Sequence, residues 1–194
     1  MNVLRDHDRE DPLRLFAALW LPPGLSAIAL KKLERLRRNA RGVRWVSPAQ
    51  FHITLKFLGD TPRHVLPDLE RVLAEVAAAT SPITLQLVKG GVFPAVGPPR
   101  VVWIGLEPEA ALRALADRIT EALEPYGFPP EKKVFSAHLT LGRAEQNAFF
   151  DYTALSEEKT SAAEAVSSLA LVRSQLKPGG SVYDNIGVWP LAMN

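Results

Sequence analysis

The runs His52-Ile53-Thr54-Leu55 and His138-Leu139-Thr140-Leu141 repeat one four-residue pattern in a chain with four histidines. Successive side chains of a β-strand point to opposite faces, so the histidine and threonine of each run share one face. The two apolar residues of each run share the other face, where they can anchor the strand in a hydrophobic core. The pattern therefore predicts two strands that each carry an imidazole and a hydroxyl in front of the core.

The segments around these runs follow either a strand period or a helix period. Apolar residues at helical spacing predict three helices, within residues 25–36, 62–79 and 112–123. Pro67 conflicts with a helix that begins at Pro62, so this helix either kinks or begins near Pro67. The predicted strands are 13–21, 43–46, 51–58, 83–88, 101–106, 134–143, 168–176 and 182–191. Residues 145–165 follow neither period and could hold a short helix.

This order of elements is not the strict alternation that builds a parallel sheet, so it predicts an α+β fold. Each half of the chain holds strands, a helix and one of the two motif strands. We therefore expect a bilobal domain over residues 13–194, with two similar lobes of antiparallel strands, helices packed outside and a central cleft. Residues 1–12 are charged and aperiodic, which predicts a flexible extension.

Composition limits the classes of function. Hydrophobic residues make up 47% of the chain and charged residues 23%, as in an ordinary globular protein, and the net charge is +2. With no cysteine, disulfides, thiolate zinc sites and cysteine nucleophiles are excluded. The apolar run 15–21 is too short for a membrane span, and the mixed charges before it are unlike a signal peptide. We expect a cytoplasmic protein.

The two histidines suit proton transfer. A neutral imidazole can deprotonate water while a protonated one donates to a departing alkoxide, and threonine hydroxyls can bind phosphoryl oxygens. A metal site is the alternative, but His52 and His138 would need a third ligand that no neighbouring run supplies. The sequence also lacks a phosphate-binding Gly-x-x-x-x-Gly-Lys loop and a serine elbow. His7 and His64 have no comparable setting, so we expect neither a metal nor another cofactor.

Several runs, taken in order, resemble the two-histidine phosphoesterase superfamily, and more closely the LigT-like bacterial RNA 2′,3′-cyclic phosphodiesterases. The resemblance covers about residues 14–191. The matching runs are Arg14-Leu15-Phe16-Ala17-Ala18-Leu19, Phe51-His52-Ile53-Thr54-Leu55-Lys56-Phe57-Leu58-Gly59, Gly91-Val92-Phe93-Pro94, His138-Leu139-Thr140-Leu141-Gly142-Arg143, Arg173-Ser174 and Pro178-Gly179-Gly180.

The resemblance implies that an RNA ending in a 2′,3′-cyclic phosphate is opened to a 2′-phosphate, and that related members join RNA through 2′-5′ linkages. It also implies that His52 donates the proton to the O3′ leaving group and that His138 activates water. Thr54 and Thr140 would hold the phosphate, and Arg143 would approach it. A regular strand points Arg143 away from His138, however, so its role requires a strand end, twist or bulge near Gly142.

Two other functions fit the same residues. The chain could be an RNA- or nucleotide-binding module whose histidines only contact phosphate, or a related esterase for small cyclic nucleotides. Aromatic residues including Phe16, Trp45, Phe51 and Phe135 could stack a nucleobase, although core packing is the commoner fate of strand aromatics. We expect a monomer that binds an RNA end and no membrane.

Overall fold

The computed structural model describes residues 11–151, 155, 162–178 and 180–192. In this part of the chain there are three α-helices, α1 Pro23–Arg37, α2 Leu66–Ala78 and α3 Glu109–Leu123. The strands are β1 Leu13–Trp20, β2 Arg41–Trp45, β3 His52–Thr61, β4 Ile83–Phe93, β5 Val101–Glu107, β6 His138–Phe149, β7 Glu164–Val166, β8 Ser168–Lys177 and β9 Gly180–Pro190.

The strands form one open antiparallel sheet in the order β7-β4-β5-β6-β3-β1-β8-β9, and β2 pairs with β6. The two motif strands, β3 and β6, are neighbours at its centre, where Ile53 lies opposite Leu139. This pair joins two halves of the sheet, one with β1, β3, β8 and β9 and the other with β2, β4, β5, β6 and β7. The α+β fold with antiparallel strands is confirmed.

The helices cover the apolar face of the sheet. Helices α1 and α3 each pack on the half of the sheet opposite to the one that holds the strand before them in the sequence. Helix α1 follows β1 but contacts β2 and β4, whereas α3 follows β5 and lies mainly against β3. Helix α2 packs on α3, β8 and β9. The two halves of the sheet therefore do not correspond to the two halves of the chain, and they share a single large core behind the motif strands.

Two local predictions can be compared with the structure. Helix α2 begins at Leu66, which places Pro67 in its first turn, where proline is tolerated. Strand β6 begins at His138, not at residue 134, and Val134 is exposed. The residues before it run beside β3, where the Lys56 ammonium donates a hydrogen bond to the Pro129 carbonyl oxygen at 2.9 Å.

Two expectations fall largely outside the described residues. The predicted flexible extension, residues 1–12, is described only from residue 11 onward. Most of the segment that could hold a short helix is also not described, although β6 continues to Phe149 and β7 begins at Glu164. The predicted hairpin of β8 and β9 is confirmed, with Lys177 paired to Gly180 at its end.

Candidate active site

The alternation of side chains along each motif strand is as predicted. Ile53, Leu139 and Leu141 are fully buried on the helix-covered face, and Leu55 is nearly so. His52, Thr54, His138 and Thr140 are half-buried on the opposite face. The core therefore fixes both strands from behind and leaves the two imidazoles and two hydroxyls on the same face of the sheet.

Each motif strand contains a β-bulge at the fourth residue of its motif. In β3, Thr54 pairs with Ala18 and Lys56 with Ala17, so Leu55 is the extra residue. In β6, Thr140 pairs with Trp103 and Gly142 with Val102, so Leu141 is the extra residue. Because a bulge adds one residue to one strand, the side-chain alternation beyond it is reversed.

The second bulge brings Arg143 to the face that carries His138. Arg143 pairs with Val101, which shares a face with Trp103 two residues later, and Trp103 pairs with Thr140. Gly142 faces the core instead, since a Cβ there would lie 2.9 Å from both Trp45 and Val43. The condition that the sequence set for Arg143, a bulge near Gly142, is met in the structure.

The two imidazoles are held in the same way. Nδ1 of His52 lies 2.7 Å from the Gln50 carbonyl oxygen, and Nδ1 of His138 lies 2.8 Å from the Ser136 carbonyl oxygen. A carbonyl oxygen can only accept a hydrogen bond, so each Nδ1 carries a hydrogen and donates it. Nε2 is then the nitrogen of each ring that is left to exchange a proton with a substrate.

Aromatic rings surround both imidazoles. Around His52, the ring centroids of Phe16, Tyr183 and Trp20 lie at 4.9, 5.2 and 5.7 Å. Around His138, those of Phe93 and Trp103 lie at 5.3 and 6.4 Å, and these two rings stack on each other. Each histidine is thus desolvated on its aromatic side.

This desolvation sets the protonation of the pair. Burial lowers the pKa of His52 below its ordinary value, the hydrogen bond to the Gln50 carbonyl oxygen opposes this, and the charges of His138 and Arg143 lower it further. Burial likewise lowers the pKa of His138, against its hydrogen bond to Ser136, and Arg143 adds to the lowering. His52, His138 and Arg143 therefore lie within electrostatic range of one another, and the site favours neutral imidazoles until an anion binds.

A cleft of about 910 Å³ opens beside the motifs. Its lining includes Thr54 and His138, the aromatic side chain of Phe93, and the basic residues Arg100, Lys132 and Lys133. Glu131 and Asp117 also line it, so the cleft is not uniformly positive. Its size and lining suit an anionic, partly aromatic ligand larger than a phosphate ion.

The structure brings the five predicted site residues to one face of the sheet. It also places aromatic residues around His52 that the sequence did not predict as part of the site. Phe16 and Trp20 are an even number of residues apart on β1, so they share one face of the strand. This spacing could have predicted that both lie on the same side of the sheet. Tyr183 comes from β9, and no local pattern links it to His52. Of the aromatics considered for stacking, Phe51 is buried, Trp45 packs at the back beside Gly142, and Phe135 lines the cleft.

Across the described ranges, no group of three or more His, Cys, Asp and Glu side chains could hold a metal ion. None of the helices in these ranges combines the length and the apolar character of a membrane span. His64 lies in a short 3₁₀ turn before α2, outside the site, and His7 is not described.

Comparisons with known proteins point to one family. Residues 22–178 match the model of the 2′-5′ RNA ligase superfamily. An RNA 2′,3′-cyclic phosphodiesterase of Archaeoglobus fulgidus is 34% identical over 91% of this chain and 99% of its own length. One of Thermus thermophilus is 36% identical over 88% of this chain and 86% of its own.

Solved structures share the fold. The crystal structure of the Thermus thermophilus protein TT0787 has a TM-score of 0.78 at 32% identity, covering 92% of this chain and 98% of that one. The structure of E. coli LigT complexed with 3′-AMP has a TM-score of 0.75 at 24% identity, covering 94% and 99%. The match of residues 22–178 to the family model and the relatives at 34% and 36% identity show that the chain belongs to the 2′-5′ RNA ligase superfamily.

Proposed function

We propose that this protein is an RNA 2′,3′-cyclic phosphodiesterase that hydrolyses terminal 2′,3′-cyclic phosphates to 2′-phosphates. The observation that carries the proposal is the matched pair of imidazoles, each held through Nδ1, on one face of two adjoining strands. The relatives that cover most of this chain are themselves named for this activity.

In the proposed reaction His138, as the neutral base, takes a proton from water through Nε2. The water oxygen forms a bond to phosphorus, the bond from phosphorus to O3′ breaks, and the electron pair of that bond stays on O3′. His52, as the protonated acid, gives its Nε2 proton to O3′, which leaves a 3′-hydroxyl and a 2′-phosphate. The two histidines end with exchanged protonation states and return to the start through solvent.

Thr54, Thr140 and Arg143 act on the phosphoryl oxygens in this proposal. Hydroxyl and guanidinium donors aimed at oxygens whose negative charge grows in the transition state lower the barrier. The anionic phosphodiester also offsets the desolvation of the imidazoles, because a nearby negative charge favours the imidazolium form.

The same groups support 2′-5′ ligation. If the 5′-hydroxyl of a second RNA replaces water, His138 removes its proton and the oxygen bonds to phosphorus while O3′ departs with the proton of His52. The product is a 2′-5′ phosphodiester. We include this activity in the proposal. We further propose that residues 13–194 form one bilobal domain and that the protein is a cytoplasmic monomer.

The test is an assay with an oligonucleotide that ends in a 2′,3′-cyclic phosphate, after exhaustive treatment of the protein with EDTA. Conversion to the 2′-phosphate under these conditions is expected. Activity that is lost with EDTA and returns only with added Mg²⁺, Mn²⁺ or Zn²⁺ would overturn the mechanism. Tight binding of the oligonucleotide without any turnover would favour a binding module instead.

A further inference from the structure

Arg44 lies directly opposite Arg143 on the neighbouring strand β2. Directly opposed residues of antiparallel strands share a face, so Arg44 belongs to the face that carries the histidines. Its neighbours Val43 and Trp45 confirm this orientation, since both contact the core-facing side of Gly142. Two exposed arginines thus stand side by side at the edge of the active-site face.

Arg100 lies close to the same place. It precedes Val101, the residue that pairs with Arg143 from the other side, and its carbonyl oxygen accepts a hydrogen bond from the Ala144 amide at 2.9 Å. Arg100 lines the cleft together with Thr54 and His138. Arg44 on β2, Arg143 on β6 and Arg100, which immediately precedes β5, therefore border one end of the site, and we call them the arginine cluster.

The arginine cluster is not neutralised by the protein in the described part of the chain. No member of the cluster takes part in an ion pair with another described residue. Glu145 is two residues beyond Arg143 and exposed, which leaves the local balance positive. Like charges directly opposite each other on antiparallel strands are destabilising, so a bound anion would stabilise this arrangement.

The chain leading to Arg44 is also strongly basic. Residues 31–44 include seven lysines and arginines and a single acidic residue, although the net charge of the whole protein is +2. Most of these side chains are exposed, on the last turns of α1 and on β2. The positive charge is thus concentrated on the side of the site that β2 forms.

We propose that Arg44 and Arg100 of the arginine cluster bind the internal phosphodiester next to the terminal cyclic phosphate, so that the preferred substrate is an oligonucleotide and not a cyclic mononucleotide. The inference rests on the proposed function. A guanidinium can bind a phosphate through two parallel hydrogen bonds, and phosphates bound beside Arg44 and Arg143 would offset the repulsion between the two side chains. Arg143 contacts the reacting phosphate in the proposed mechanism, so Arg44 and Arg100 are the members specific to the internal one.

The experiment compares kcat/KM on a 2′,3′-cyclic mononucleotide with kcat/KM on a trinucleotide that ends in a 2′,3′-cyclic phosphate. Arg44→Gln is expected to lower the ratio of trinucleotide to mononucleotide kcat/KM roughly tenfold to a hundredfold, the loss of one charged hydrogen-bonding group. Arg100→Gln should act in the same direction. The control Lys177→Gln removes one exposed charge at the end of β8, two strands beyond β3 in the sheet, and should keep the wild-type ratio.

Salt dependence gives a second readout. Each contact to a single-stranded phosphate adds about 0.7 to the slope of log affinity against log salt concentration. Binding of a trinucleotide that ends in a 2′-phosphate, followed by fluorescence anisotropy, should therefore show a shallower slope for Arg44→Gln than for the wild type. Arg44→Lys keeps the positive charge but loses the two parallel hydrogen bonds of the guanidinium. It should retain the wild-type salt dependence and recover part of the ratio of trinucleotide to mononucleotide kcat/KM.

Two results would overturn the inference. Equal losses on both substrates would mean that Arg44 acts at the reacting phosphate or through folding, and an unchanged ratio would mean that it binds no second phosphate. Failure of the proposed function is separate: the wild type would then turn over neither substrate. In that case weaker binding of the trinucleotide by Arg44→Gln would still support the phosphate site, and equal binding would refute it.

Discussion

Ile53 lies directly opposite Leu139 at the centre of the sheet, and both side chains are fully buried. Each is the second residue of its motif, so the two motifs are aligned on this pair and run in opposite directions from it. Stepping one residue in each direction sets His52 level with Thr140 and Thr54 level with His138. The spacing of the face that carries the histidines and threonines is therefore fixed by two apolar side chains on the face behind it.

This relationship separates stability from activity. Leu139→Ala and Ile53→Ala should each lower the free energy of unfolding by ~2–5 kcal/mol, since both remove buried methyl groups from a packed core. Thr54→Ala and Thr140→Ala remove half-buried hydroxyls from the cleft side, and should lower kcat with a much smaller loss of stability. Denaturant unfolding and turnover of the cyclic phosphate, measured on all four variants, check this. Equal unfolding losses in the two pairs would show that the assignment of faces is wrong.

The roles of the two histidines can be separated by the leaving group. With a natural cyclic phosphate, His52→Ala and His138→Ala should each reduce kcat by roughly 10²–10⁴. An activated aryl phosphodiester hardly needs a proton on its leaving oxygen, so His52→Ala should recover much of its rate on it while His138→Ala stays slow. Rescue of His138→Ala instead would exchange the two roles. Rescue of neither would indicate that the histidines chiefly bind phosphate.

The pH dependence follows from the lowered pKa of both imidazoles. Activity rises with pH as the base, His138, becomes neutral, and falls with pH as the acid, His52, loses its proton. Because burial and Arg143 lower both pKa values, the bell-shaped profile of kcat/KM should be centred below the ordinary histidine pKa of about 6.5.

The profile of kcat should differ from that of kcat/KM. It reports the enzyme with substrate bound, where the phosphodiester anion favours the imidazolium forms, so its centre should lie at higher pH. Rate measurements across pH at low and at saturating substrate give the two profiles. A profile of kcat/KM centred well above the ordinary histidine pKa, or one without an alkaline limb, would contradict the assignment.

Gly142 allows the bulge that turns Arg143 toward the site. In Gly142→Ala the new Cβ would lie 2.9 Å from Trp45 and Val43, and relief of this overlap should cost ~1–3 kcal/mol of stability and displace the bulge. Thermal unfolding and turnover should both decline. Adding Val43→Ala, which removes one of the two clashing groups, should restore part of the melting temperature. A Gly142→Ala variant as stable and active as the wild type would refute this role.

Much of the architecture is determined by local sequence. The apolar spacing within residues 25–36 and 112–123 predicts α1 and α3 because a helix buries one stripe of its surface whatever it packs against. The alternation in the two motifs predicts which face carries His52 and which carries Ile53, since the period of two is a property of the extended backbone. These signals need no knowledge of the partner strand.

Tertiary structure alone decided the rest, because it depends on which strand lies beside which. Arg143 is five residues after His138, so in a regular strand the two side chains would point to opposite faces. The bulge at Leu141 reverses this, and it arises from the pairing of β6 with β5. Tyr183 reaches His52 because β9 and β8 fold back beside β1, a contact between distant parts of the chain. Arg44 meets Arg143 for the same reason. Local periodicity determines the face on which a side chain lies, but strand register and bulges, which are set by non-local pairing, determine what it meets there.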